Sequence, residues 1–250
     1  MSSSIYRDIQ KRARRIVAGS PIPSFYRVHP GEWDHSRKFL NNDPAVRLVL
    51  DFVARQLDND FGHGFMHAMK VAVDAGTLAI IESGNHAIHP SEITTILRNA
   101  QIAGLLHDIK RKERHHAIAG SQYAEQVMQA FGFMPEVIET VSRAIRNHEA
   151  FQEPAIIDTV EGRLVSDCLY DADKFRWGPD NFEDTLWDML VHLDPPFSEF
   201  LQRYPSGMEF LARIKTTFRT ETGRRFGPEF IDIGLAIGEV IFQMLEREYV

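Results

Sequence analysis

The chain has 250 residues, 44% of them hydrophobic and 25% charged, an ordinary globular composition that can bury about three quarters of its unfolded surface. A net charge of −7, with a pI near 5.9, argues against a general nucleic-acid binder. The single cysteine, Cys168, excludes an intrachain disulfide, no apolar run reaches membrane-spanning length, and Met1 to Ser4 lead into no signal-peptide core. A cytoplasmic protein without membrane contact is expected, and its oligomeric state is left open.

In chain order, residues 4–17 read as a helix with Ile5, Ile9, Ala13 and Val17 on one stripe, beside a basic cluster of Lys11, Arg12, Arg14 and Arg15 taken as a solvated face. Ser20 to Asp34 holds Pro21, Pro23, Pro30 and Gly31 and reads as a connector, with His29 and His35 as surface histidines. Asp43-Pro44 opens a helix to about Leu57, with a capping residue followed by proline at the first helical position. Further helices are expected from Gly64 to Glu82, Ser91 to His107, Glu113 to Ala130 and Pro135 to His148. Thr159 to Phe175, Asn181 to Leu193, Ser206 to Phe218 and Pro228 to Glu248 complete the series. No period-2 alternation or repeat appears, so the expected fold is all-α, a single-domain bundle of roughly nine to eleven helices.

Four of these helices carry a histidine at the end of an apolar stripe. His67 is in line with Val71, Ala75 and Leu78; His107 with Ala103, Ala100 and Ile96; His148 with Ile145, Val141 and Ile138. His116 precedes Gly120, Tyr123, Ala124 and Val127. One core histidine is usually a hydrogen-bonded structural residue, but four in consecutive helices point to a metal site inside the bundle. Asp108, beside His107, adds a carboxylate at the end of a buried run, where an uncompensated charge costs several kcal/mol. Asp173 follows Leu169, Ser166 and Val165 and can face inward, whereas Asp171 lies well round the same helix.

The order His67, His107-Asp108, Asp173 resembles the HD-domain superfamily of metal-dependent phosphohydrolases. Local contexts resemble it too: His67-Ala68-Met69-Lys70-Val71, Gly104-Leu105-Leu106-His107-Asp108-Ile109 and Ala172-Asp173-Lys174. His116-Ala117-Ile118-Ala119-Gly120 and Ile145-Arg146-Asn147-His148 resemble the further histidine motifs of two-metal members. The similarity covers residues 60–180, the metal-binding core. Residues 1–59 are then expected to pack on that core, and 181–250 to complete the same domain.

The resemblance implies one ion held by His67, His107, Asp108 and Asp173, with a second, bridged by Asp108, on His116 and His148. These last two are otherwise assigned to substrate. The ion is expected to be Mn, Fe, Co, Ni or Zn. Where some nucleotidase members carry a glutamate three residues after the aspartate, this chain has Arg111, and members acting on phosphodiesters have a lysine there. Lys110, Arg111, Lys174 and Arg176 are candidates for holding phosphate oxygens, and His63 and Asp171 for a supporting shell. The expected activity is hydrolysis of a nucleotide or other small phosphoester by a metal-activated water. Two alternatives are a di-iron oxygenase, as in myo-inositol oxygenase, whose ligand order is the same, and a regulatory protein with an inactive site.

Overall fold

The computed structural model describes residues 2–57 and 64–249. Among them the chain is all helical, with twelve α-helices, one π-helical segment and no strand. No helix among these residues is long and apolar enough to cross a membrane.

Helix α1 (Ser2–Ala18) buries Tyr6, Ile9 and Ala13 completely. Its basic cluster is not simply solvated: Arg12 pairs with Glu248, and Arg14 with Asp184 at 2.6 Å, so two arginines clip α1 to the C-terminal third. Both pairs are exposed, so water and salt screen them and they fix the position of α1 more than they stabilise it.

The expected connector at Ser20 to Asp34 instead holds α2 (Ser24–Val28) and the start of α3 (Pro30–Asn42), which raises the helix count above expectation. Pro30 occupies the first turn, where its missing N–H leaves no intrahelical bond unmade. Phe25 of α2 is fully buried among Phe175, Phe226 and Phe230, and His29 packs edge-on against Phe226 rather than lying on the surface. In α4 (Pro44–Gln56) the Asp43 carboxylate caps the helix by accepting from the N–H groups of Ala45 and Val46, both at 3.1 Å.

The centre of the molecule is α5 (Phe65–Asn85) against α6 (Pro90–Leu106), with α9 (Val160–Phe175) packed on both. Gly104 makes the α5–α6 approach possible. A Cβ there would lie 2.6 Å from Ala72 Cα, a backbone atom that cannot move aside. After α6 the chain folds through consecutive turns, closed by Arg111 N–H to Asp108 O and Glu113 N–H to Lys110 O, each 2.9 Å. His115, in the left-handed region at φ 57°, then redirects it into α7 (His116–Ala130). Helix α8 (Pro135–Arg146) packs on α7, α9 and α6.

The remaining chain forms the π-helical segment (Asn181–Thr185), α10 (Leu186–Leu193), α11 (Phe197–Ile214) and α12 (Glu221–Tyr249). The last two start earlier than their prolines suggest, because Pro205 and Pro228 lie inside them. A proline removes only one intrahelical donor, and burial of Phe200, Tyr204, Phe226 and Phe230 overrides that local preference.

Candidate metal centre

Six side chains from five places in the fold converge at one end of the α5–α6 pair. His67 is in the first turn of α5, and His107 caps α6 with Asp108 beside it. His116 opens α7, His148 lies two residues beyond α8, and Asp173 is in the last turn of α9. His67, His107, Asp108, His148 and Asp173 are each at most 8% exposed, and His116 is partly buried.

These donors form two groups. In the first, His67 Nε2 lies 3.2 Å from His107 Nε2 and 3.5 Å from Asp173 Oδ1, while His107 Nε2 lies 3.7 Å from the same carboxylate oxygen. In the second, Asp108 Oδ1 lies 3.6 Å from His116 Nε2 and 3.4 Å from His148 Nε2. Asp108 joins the groups, because its Oδ2 is 3.5 Å from His107 Nε2. Donors bound about 2.0–2.2 Å from a common ion are spaced roughly 3–4 Å apart, so the first group could hold one ion and the second another.

Backbone carbonyls set the imidazoles. His107 Nδ1 is 2.8 Å from Gly104 O and His148 Nδ1 is 2.6 Å from Ile145 O. A carbonyl can only accept, so both Nδ1 atoms carry hydrogen and both Nε2 atoms face the cluster. Glu149 does the same for His116, with Oε1 2.9 Å from its Nδ1. Sequence reasoning missed Glu149, whose only signal is that it follows His148.

Electrostatics also suit a cation. Burial pulls the His107 imidazolium down, but Asp108 and Asp173 overcome it and raise the pKa to about 10. Burial pushes Asp173 up, yet Lys174 and the two histidines hold it well below the carboxylate range. His116 goes the other way: burial, opposed by Asp108 and helped by Arg111, holds it down at about 4, so it stays neutral.

The basic residues divide. Arg111 is exposed, with Nη1 2.7 Å from His116 Nε2, at the mouth of the second group. Lys110 is beside Glu113 at 3.2 Å and over the Tyr123 ring. Lys174 and Arg176 are not presented to a phosphate, because both are buried and engaged. Lys174 Nζ donates to Asp173 Oδ2 at 2.5 Å and to His148 O at 3.0 Å. Arg176 donates to Asp180 at 2.5 Å, to Tyr26 Oη at 2.8 Å and to Asp74. Asp171 supports no donor of the cluster. It faces the start of α12, accepting from the N–H groups of Arg219 and Thr220, each at 2.8 Å. His63 lies outside the described residues.

No family model matches the chain, and no curated protein matches it. Its structure is similar to the crystal structure of a predicted HD superfamily hydrolase from an uncultured Thermotogales bacterium. The two are 22% identical with a TM-score of 0.48, over 84% of this chain and 97% of the other.

Proposed function

We propose that the chain is a metal-dependent phosphohydrolase of the HD-domain type, acting on a nucleotide or another small phosphoester. The observation that carries this reading is Asp108, whose two oxygens are divided between His107 on one side and His116 with His148 on the other. His67, His107, Asp108 and Asp173 would hold one divalent ion, and Asp108, His116 and His148 a second. Bound there, such ions lower the pKa of water and neutralise charge on a phosphoryl group.

The protein's own groups supply the rest. Gly104 O and Ile145 O keep the His107 and His148 Nε2 atoms turned inward, and Lys174 holds Asp173 ionised and in place. Arg111, at the open side beside His116, is positioned to donate paired N–H groups to phosphate oxygens. Burial of the donors keeps bulk water from competing for them.

Metal analysis of the purified protein, followed by phosphate release from a panel of phosphomonoesters and diesters, tests this function. Turnover that depends on bound metal and is lost in Asp108→Ala is the expected result. The same six donors also suit a di-iron oxygenase. Stoichiometric iron with oxygen uptake, and no phosphate release, would favour that chemistry instead.

A further inference from the structure

Beside the metal cluster the structure has a chamber of about 440 Å³, walled by the π-helical segment, α10 and α11. His67, Arg111 and Arg176 stand at its cluster end. Its inner wall is hydrocarbon, with Phe182, Leu190, Phe200 and Leu211 each no more than 7% exposed. Its polar lining away from that end is sparse: Glu199 and Arg203 pair with each other at 2.8 Å, Tyr204 donates to Gly238 O at 2.9 Å, and Asn181 and Thr185 are confined to the π-helical segment. A pocket with this wall, and with the exposed Arg111 beside the donor cluster at one end, suits a ligand with a charged head and an apolar body. A nucleobase carries several donors and acceptors on its edge, each costly to bury without a partner, whereas a hydrocarbon chain needs none.

We propose, resting on the hydrolase reading above, that the substrate is an amphiphilic phosphoester. Its phosphate meets the metal cluster and Arg111, and its alkyl chain lies in this chamber. The assignment gives residues 181–250 a role in specificity. Continuity between the chamber and the donor cluster, through His67 and Arg111, argues that both ends are filled by one molecule.

The test compares ethyl phosphate with decyl phosphate, below the micellar range, on the metal-loaded protein. Complete burial of a methylene is worth roughly fourfold, so even partial burial of the chain should raise kcat/KM at least thirtyfold for the decyl ester. Calorimetry with ethylphosphonate and decylphosphonate should give a similar preference in Kd, in metal-free protein as well. Gly207 lines the chamber, and a Cβ added there meets no atom within 4 Å, so Gly207→Phe can narrow the space without moving the backbone. In Gly207→Phe, and in Met189→Trp, whose side chain also lines the chamber from α10, the decyl-to-ethyl ratio should fall below threefold while helix content is retained.

Equal kcat/KM for the two esters, or adenosine monophosphate turned over faster than decyl phosphate, overturns the amphiphile assignment and leaves hydrolysis standing. Failure to cleave any ester overturns the hydrolase reading instead. The phosphonate pair then decides the chamber alone: a thirtyfold preference lost in Gly207→Phe supports it, and equal affinities refute it.

Discussion

Asp108 Oδ1 lies 3.4 Å from His148 Nε2, while the other oxygen of the same carboxylate is turned toward His107. One carboxylate thus faces two sets of imidazoles, an arrangement suited to two cations about 3.5–4 Å apart. Under metal-replete conditions the protein should hold two equivalents by elemental analysis. His148→Ala should keep one of them, and Asp108→Ala should keep neither while preserving helix content. A wild-type content of one equivalent would reassign His116 and His148 to substrate.

Glu149 tests the carboxylate–histidine pair behind the second group. Its Oε1 accepts a hydrogen bond from Nδ1–H of His116, which leaves the Nε2 lone pair on the side of Asp108 as the metal-binding atom. Losing such an orienting partner typically weakens metal binding 10–100-fold. Glu149→Ala should therefore lower affinity for one equivalent by that factor and leave the other unchanged, as measured by competition with a chelating dye.

Arg176 and Arg111 look alike in sequence but should behave oppositely. Arg176 is buried between Asp74, Asp180 and Tyr26, and burial already raises the Asp74 carboxyl. Arg176→Ala leaves that acid without its partner and should cost about 3–5 kcal/mol in denaturant unfolding. Arg111 is exposed, so Arg111→Ala should change stability by less than about 0.5 kcal/mol and act on KM for phosphoesters instead. Unchanged KM and turnover would make Arg111 a surface residue only.

Gly104 should be irreplaceable for reasons of space. Any side chain there meets Ala72 Cα and N, at 2.6 and 2.8 Å, in the helix that carries His67. Gly104→Ala should cost about 1–3 kcal/mol and loosen the first metal group. Gly84, in the same helix as Ala72 but with nothing near its Cβ position, is the control. Gly84→Ala should be neutral or stabilise by up to about 1 kcal/mol.

Much of the helical order could be recovered from the chain alone, because His67, His107 and His148 each end an apolar stripe that keeps a helical period. Periodicity says which residues share a face, and the convergence of the donors follows from those faces meeting. It does not say where a long cation points. Lys174 and Arg176 therefore looked like phosphate ligands, although both turn back into their own protein's carboxylates. The prolines near α2 and α3 masked short helices, since Pro30 both breaks a preceding helix and starts a new one. The chamber had no signature, because an apolar residue facing a cavity has the same spacing as one facing the core.

The metal-free cluster should itself respond to pH. Asp108 and Asp173 outweigh burial and raise His107 from 6.5 to about 10 in the folded protein. A raised pKa contributes stability that is fully present below 6.5, the unfolded value, and is lost as pH rises through about 10. The Tm of metal-stripped protein should therefore fall between pH 7 and 10. A cation that occupies the cluster replaces the Nε2 proton, so metal binding should release a proton and strengthen as pH rises over the same window. The metal-loaded protein should then show a flatter Tm profile, and subtracting the two profiles removes contributions from groups far from the cluster. Parallel profiles for the stripped and loaded forms would mean that His107 carries no proton for the ion to displace.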